Sequence, residues 1–299
     1  MEHMKILAVD IGGTSIKMCM ADEKGNASAF IEFDSEAEKC GPHLVDNIIA
    51  KITETYTVFD AIGISTASQV NSEDGSIIYA NENFPNYTGM KIKAIFEAKF
   101  GVPVKVENDV NAAALGEKHF GAGKNYNDFL CLTYGTGIGG AIVIDSTVYK
   151  GLNGGAGEFG HLILYPGGKR CNCGCVGCYE MYGSTTALVK KALELDSKYI
   201  NGRTIFEGLE QGDVSLEKVL NDWVLEVAYG LVSLTHIFNP PAIIIGGGVM
   251  EQDRLIAMVT NKAKELMLKS FSNVKILKAS LGNKAGLLGA ASLHLSSKN

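Results

Sequence analysis

Four side chains that favour soft or borderline metal ions fall within eighteen residues: His161, Cys171, Cys173 and Cys178, spaced His-x9-Cys-x-Cys-x4-Cys. Thiolate and imidazole donors at that density suit tetrahedral zinc, and four protein ligands would make the ion structural, not a water activator. Cysteines so close together do not pair readily as unstrained disulfides. Cys175 is a fifth donor, so spacing alone leaves open whether Cys175 or His161 completes the set. Glu158 and Glu180 flank the cluster and, taken alone, read as solvated glutamates.

A second candidate is Asp109, in Val106-Glu107-Asn108-Asp109, where a strand pattern gives way to a helix pattern. Asn108 or Asp109 could simply cap that helix. The chemical alternative makes Asp109 a general base. An alcohol is too weak an acid to lose its proton unaided as it attacks phosphorus, and a placed carboxylate typically adds about 10²–10⁴ in rate.

Three glycine-rich turns complete the candidates. Asp10-Ile11-Gly12-Gly13-Thr14 could bring backbone amides and the Thr14 hydroxyl to phosphate oxygens, with Asp10 on a magnesium ion and Lys17 nearby. Gly135-Thr136-Gly137-Ile138-Gly139-Gly140 repeats that logic, and Gly246-Gly247-Gly248 ends a strand where bare backbone could wall a nucleoside. No Walker loop occurs, and the second turn is followed by a strand pattern, unlike a dinucleotide fingerprint.

These residues need elements to carry them. Lys5–Val9, Ala61–Ser65, Val102–Val106, Phe129–Thr133, Ala242–Ile245 and Val274–Leu277 read as strands. Helical patterns cover Val45–Tyr56, Met90–Phe100, Asn108–Phe120, Ser184–Leu195, Leu216–Phe238, Leu255–Leu268 and Ala285–Leu295. The unit of strand, glycine turn and strand at Lys5–Ala21 recurs at Phe129–Ile144, a weak internal duplication. Alternating strands and helices predict an α/β fold with two similar halves.

The chain has 299 residues, a net charge of −6 and 7 cysteines. No basic run stands out, which disfavours nucleic acid as a partner. No apolar run reaches the length of a membrane span, and the polar Met1–Met4 stretch leaves no room for a signal peptide. Either Met1 or Met4 could be the native start. Clustered cysteines without a leader point to a reducing, cytoplasmic setting.

Taken together, DIGGTSIK at 10–17, ENDVNAA at 107–113, YGTGIGG at 134–140, GEFGH at 157–161, CNCGCVGCYE at 171–180 and IIGGGV at 244–249 resemble the ROK family (repressors, open reading frames and kinases) of the actin-like ATPase superfamily. The resemblance spans nearly the whole chain in the family's order. It implies a two-lobed actin-like, ribonuclease H-like α/β fold with ATP and sugar in a cleft between lobes. The first lobe would cover residues 1–119, completed by a helix at 285–299. The second would cover 120–284, with a zinc segment at 161–178. The implied activity is an ATP-dependent hexose kinase phosphorylating a sugar hydroxyl, the 6-hydroxyl, with Asp109 as base. Asp10, Gly12, Gly13, Thr14, Lys17, Thr136, Gly137 and Gly247 would lie near ATP and its Mg²⁺. Ser68, Asn81, Asn108, Asp109, Glu158, His161 and Glu180 would contact the sugar. His161, Cys171, Cys173 and Cys178 would hold zinc. A homodimer is common among similar proteins.

One departure bears on the sugar. Many family glucokinases carry Pro-Gly in the loop written STASQV at 65–70, where this chain has Ala67-Ser68. That loop somewhat resembles N-acetylmannosamine kinases, whereas FLCLTYGTGIGG at 129–140 also resembles β-glucoside kinases. The sugar is therefore expected among N-acetylmannosamine, glucose, a β-glucoside and fructose. The family's repressors carry a helix-turn-helix ahead of the first strand, and only four residues precede it here. A sugar-binding regulator without catalysis is the other alternative, against which Asp109 argues.

Overall fold

The computed structural model describes residues 4–295. The choice between Met1 and Met4, and the end of the proposed C-terminal helix beyond 295, lie outside the described residues. The chain forms two compact units. One comprises the described residues up to 127, residues 144–156 and residues from 283 on; the other comprises 128–143 and 157–282. Residues 144–156 thus group with the first unit, so the units alternate along the chain more than a single boundary near residue 120 would allow.

The first unit is built on the sheet order β3-β2-β1-β4-β7. Its strands are β1 (Ile6–Ile11), β2 (Ser15–Ala21), β3 (Ala27–Asp34), β4 (Ala61–Thr66) and β7 (Val104–Asn108). β1 and β2 form the expected hairpin, with Asp10 opposite Lys17, while β1, β4 and β7 run parallel. A small hairpin, β5 (Gln69–Asn71) with β6 (Ser76–Tyr79), follows β4. The helices are α1 (Gly41–Thr55), α2 (Ile92–Phe100) and α3 (Asp109–Phe120). Alternation along β1 sends Leu7, Val9 and Ile11 into a core with Leu44 and Ile48 of α1 and Phe96 of α2. Ile6 and Ala8 face the other way, onto Leu287 and Ala290 of α9 (Ala285–Ser292). That helix lies very close to its neighbours: a Cβ on Gly63 of β4 would collide with the Ala290 carbonyl. One on Gly289 would collide with the Ala112 carbonyl of α3.

In the second unit, β9 (Ile138–Ile144), β8 (Phe129–Tyr134), β11 (Ala242–Gly246) and β12 (Lys275–Lys278) lie side by side. The β8–β9 hairpin repeats the antiparallel design of β1–β2, and β11 runs parallel to β8 and β12. The short β10 (Thr147–Val148) belongs to the interleaved segment 144–156. Helices α4 (Glu180–Gly183), α5 (Thr185–Leu193), α6 (Gly202–Glu210), α7 (Val214–Phe238) and α8 (Asp253–Leu266) complete the unit. Asp213 caps α7 by accepting from the Ser215 and Leu216 amides, and Asn239 ends it in a left-handed conformation at φ 45° before two prolines. No helix among the described residues is long and apolar enough to cross a membrane.

Several features, α4 among them, had no counterpart in the sequence reading, and three show why. β3 is an edge strand whose side chains are mostly exposed, so it lacks the alternation that marks a half-buried strand. The β5–β6 hairpin is too short to set a period. Helix α6 opens with glycine, yet its start carries a readable signal, the reciprocal capping box of Asn201 and Thr204.

Candidate active site and metal centre

Helix α3 begins where β7 ends, and this junction fixes Asn108 and Asp109. Asn108 is the cap: its Oδ1 accepts from the Val110 amide at 2.9 Å and the Asn111 amide at 3.1 Å. Its Nδ2 donates to the Ser68 carbonyl at 3.2 Å and to Asp109 Oδ1 at 2.9 Å. Asp109 Oδ1 also accepts from the Val110 amide at 2.9 Å. Withdrawal from water, reinforced by the charge of Asp10, pushes the Asp109 carboxyl up to about 7. Burial likewise raises Asp10, against a 2.8 Å hydrogen bond from Ser65 Oγ and the nearby Lys17. Two carboxyls that resist ionising together, at strand ends and a helix start, form the arrangement expected of a proton acceptor beside a cation or phosphate site.

Ser68 is 6 % exposed, and its hydroxyl has no hydrogen-bond partner among the described residues. A buried hydroxyl without a partner is costly, and a polar ligand would relieve it. Asn81 is exposed, and its Oδ1 accepts from the Asn83 amide at 3.0 Å within a turn.

The two hairpin glycine turns are anchored in the same way. In the first, Ser35 donates its amide to the Thr14 carbonyl at 3.0 Å and its hydroxyl to the Gly13 carbonyl at 2.9 Å. In the second, Thr185 donates its amide to the Gly135 carbonyl at 3.0 Å and its hydroxyl to the Tyr134 carbonyl at 3.0 Å. A hydroxyl residue just beyond each hairpin or helix junction thus fixes the loop by its carbonyls. That leaves recognition of an anion to amides, as a phosphate nest requires. Neither Ser35 nor Thr185 had stood out in the sequence, because a single hydroxyl residue carries no spacing signal. Gly247 has φ 108°, and a Cβ there would collide with the Tyr134 carbonyl, so the third glycine turn requires glycine.

A cavity of about 740 Å³ opens in the second unit, lined by Thr185, Asn201, Arg203, Phe206, Gly248 and Val249 among others. Its size suits a nucleoside. Thr185 therefore both walls the cavity and anchors the 135–137 turn. The contribution of α6 was not read from the sequence.

The cysteine segment lies on the same unit. Cys173 and Cys178 sulfurs are 3.6 Å apart, and Cys171 Sγ is 3.9 Å from His161 Nδ1. All four donor atoms of His161, Cys171, Cys173 and Cys178 lie within 4.8 Å of one another. A zinc tetrahedron with Zn–S arms of ~2.3 Å has edges of roughly 3.7 Å, so the donor set fits the ion in chemistry and spacing. Cys175 is exposed and stands outside this set. Its backbone amide is among the hydrogen bonds, the largest cause, that pull the Cys173 thiol down to about 7. The cluster gathers the two flanking glutamates. Glu180 Oε1 accepts from the Cys171 thiol at 3.0 Å and is 3.8 Å from His161 Nδ1. Glu158 Oε2 lies 3.9 Å from His161 Nε2. Glu180 also abuts the glycine turn, since a Cβ on Gly137 would collide with its Oε2.

Comparison with known proteins places this architecture. A profile described as the ROK family matches residues 6–297. A β-glucoside kinase of Listeria monocytogenes is 34% identical, over 99% of this chain and 99% of its own length. The structure of a ROK family glucokinase from Streptomyces griseus in complex with glucose and AMPPNP superposes with TM-score 0.85 at 32% identity, covering 97% of this chain and 98% of that one. A xylose repressor of Bacillus spizizenii is 27% identical over 96% of this chain, which spans 76% of that protein.

Proposed function

The chain belongs to the ROK family and is a sugar kinase, and on that premise we propose that it transfers the γ-phosphate of ATP to a hexose hydroxyl, the 6-hydroxyl, with Asp109 as general base. The observation that carries the reading is the Asp109 carboxyl, fixed at the start of α3 and raised to about 7. A base with that affinity is about half ionised at neutral pH and strong enough to take a proton in flight. As the sugar oxygen bonds to phosphorus, its proton passes to Asp109, and the bond to the β-phosphate breaks to release ADP. Phosphoryl transfer otherwise depends on placement and charge neutralisation, part of which Mg²⁺ supplies when it arrives with ATP.

In this reading each unit has its share. In the first, Gly12, Gly13, Thr14, Lys17 and Asp10 serve the phosphates and their cation, while Ser68, Asn81 and Asn108 join Asp109 at the sugar. The Asn108 amide, already shared between Ser68 and Asp109, would exchange a partner for a sugar hydroxyl. In the second, Thr136, Gly137 and Gly247 serve ATP, and the cavity walled by Phe206 and Arg203 takes the nucleoside. Zinc on His161, Cys171, Cys173 and Cys178 would order the segment that presents Glu158, His161 and Glu180 to the sugar. Its role is structural, and His161 would keep one ring nitrogen for the ligand. The sugar belongs to the group N-acetylmannosamine, glucose, β-glucoside and fructose, and the enzyme acts in the cytoplasm as a homodimer.

The test is coupled ADP release with Mg-ATP across those sugars, mannose and cellobiose, with the product's phosphate position read by NMR. Turnover that requires one hexose supports the kinase reading. ATP and hexose binding without turnover, in folded zinc-loaded protein, would favour the regulator reading suggested by the xylose repressor relative.

A further inference from the structure

Glu107 stands one residue before the cap of α3 and two before the proposed base, yet nothing above uses it. Its side chain is 3 % exposed, and its two oxygens are divided between different partners. Oε1 accepts from the Asn108 amide at 3.0 Å and Asn111 Nδ2 at 3.1 Å, both at the start of α3. Oε2 accepts from Ser72 Oγ at 2.8 Å, just beyond the loop that carries Ser68, and pairs with Lys150 Nζ at 3.0 Å. Lys150 comes from the interleaved segment 144–156, which also approaches the strand after Ser68: a Cβ on Gly154 would stand 2.7 Å from the Val70 carbonyl. One buried carboxylate thus ties three stretches of chain together, and the Ser68 loop is held at both ends, by Asn108 and by Ser72.

We propose that Glu107 and Lys150 are a positioning pair for the sugar: their ion pair fixes the Ser68 loop against the start of α3 and thereby sets sugar affinity. The inference rests on the kinase reading, which places the sugar beside Ser68 and Asn108. Neither residue touches the reacting atoms. The division of labour in the carboxylate makes the role separable from folding. Glu107→Gln keeps an acceptor for Asn108 and Asn111, but its amide nitrogen cannot accept from Ser72 or Lys150. The start of α3, with Asp109, stays in place while the loop side is released. Lys150→Met removes the counter-ion of a buried charge and loosens the same side. Lys150 is 40 % exposed, so its replacement opens no cavity in the core.

The experiment measures hexose and ATP binding by calorimetry, together with kcat, KM and Tm, for wild type, Glu107→Gln, Lys150→Met, Lys150→Arg and Asp109→Asn. Loss of charge-assisted hydrogen bonds should weaken hexose binding about tenfold or more in the first two variants, with kcat reduced less than about threefold and ATP affinity within about twofold. Lys150→Arg should restore hexose affinity, which a general packing role for the side chain would not require. Hexose affinity within about twofold of wild type in Lys150→Met overturns the pair, whatever Asp109→Asn does. Parallel losses of hexose affinity, ATP affinity and Tm also overturn it, as the mark of general destabilisation. The kinase reading fails separately, by undiminished turnover in Asp109→Asn.

Discussion

The start of α3 and the cysteine segment both present polar side chains to a ligand in the proposed reading, yet they are held by different physics. Around α3, most of the proposed site side chains sit on regular structure, with Ser68 and Asn81 in the loops between. Asp10 is the penultimate residue of β1, Ser65 lies in β4, Glu107 and Asn108 end β7, and Asp109 opens the helix. Strand register and helix capping fix their positions, and the raised Asp109 carboxyl follows from that enclosure. In the second unit, Glu158 and His161 lie at a three-residue 3-10 turn and Glu180 at a single helical turn. The stretch that joins them has positive-φ glycines at 157, 167, 174 and 177 and little other regular structure. Such a segment is joined only by isolated bridges, Ile163 with Cys178 and Arg170 with Val176, and in the proposed reading a metal on its four donors would add to its order. The first region should therefore be indifferent to chelators and sensitive to pH, and the second the reverse.

Asp109→Asn should give the largest effect. It preserves shape and removes the base, so kcat should fall by about 10²–10⁴ in steady-state assays while hexose affinity changes little. Next comes metal removal. Chelation, or Cys178→Ser, should release stoichiometric zinc and weaken hexose binding on the order of 10–100-fold, the scale for disturbing a metal site's supporting shell. Zinc retained at one equivalent in Cys178→Ser, read by metal analysis, would contradict the ligand set. Chelation that abolished the pH response of Asp109 would erase the contrast between the regions. Gly137→Ala comes third: its Cβ displaces Glu180, so KM should rise for the sugar, by about tenfold or less, without loss of zinc. Unchanged kinetics in this variant would detach Glu180 from the site.

The smallest effect is on stability. A carboxyl raised in the folded state holds its proton there more tightly than in the unfolded chain. It therefore costs stability as pH rises from its unfolded value near 4 to about 7, and the cost is constant above. Asp109→Asn should accordingly melt a few degrees higher than wild type at pH 8, with the gap closing towards pH 4. A lower Tm at pH 8 would show that the carboxylate is stabilised in place.

Much of the α3 region was legible because periodicity and short motifs report strands, glycine turns and helix starts. The β1–β2 and β8–β9 hairpins and the long helices followed from such patterns. The candidate metal donors were legible as a cluster because four such residues fall so close in sequence, and the structure groups His161, not Cys175, with the other three cysteines. The anchors were not legible. The Ser35, Thr185 and Lys150 side chains reach across 22, 51 and 43 residues of sequence, to Gly13, Tyr134 and Glu107. A lone hydroxyl or lysine has no period to betray it. Glu107 was read only as part of a strand end, since its burial depends on partners brought in by the fold.

The central claim, that Asp109 accepts the sugar's proton, is tested most directly by the pH dependence of kcat/KM for the sugar at saturating Mg-ATP. In wild type it should fall tenfold per pH unit below about 7 and level off above, because only ionised Asp109 can act. The residual activity of Asp109→Asn should lack that limb. A profile flat from pH 5.5 to 9, or an acid limb that survives in Asp109→Asn, would contradict the account.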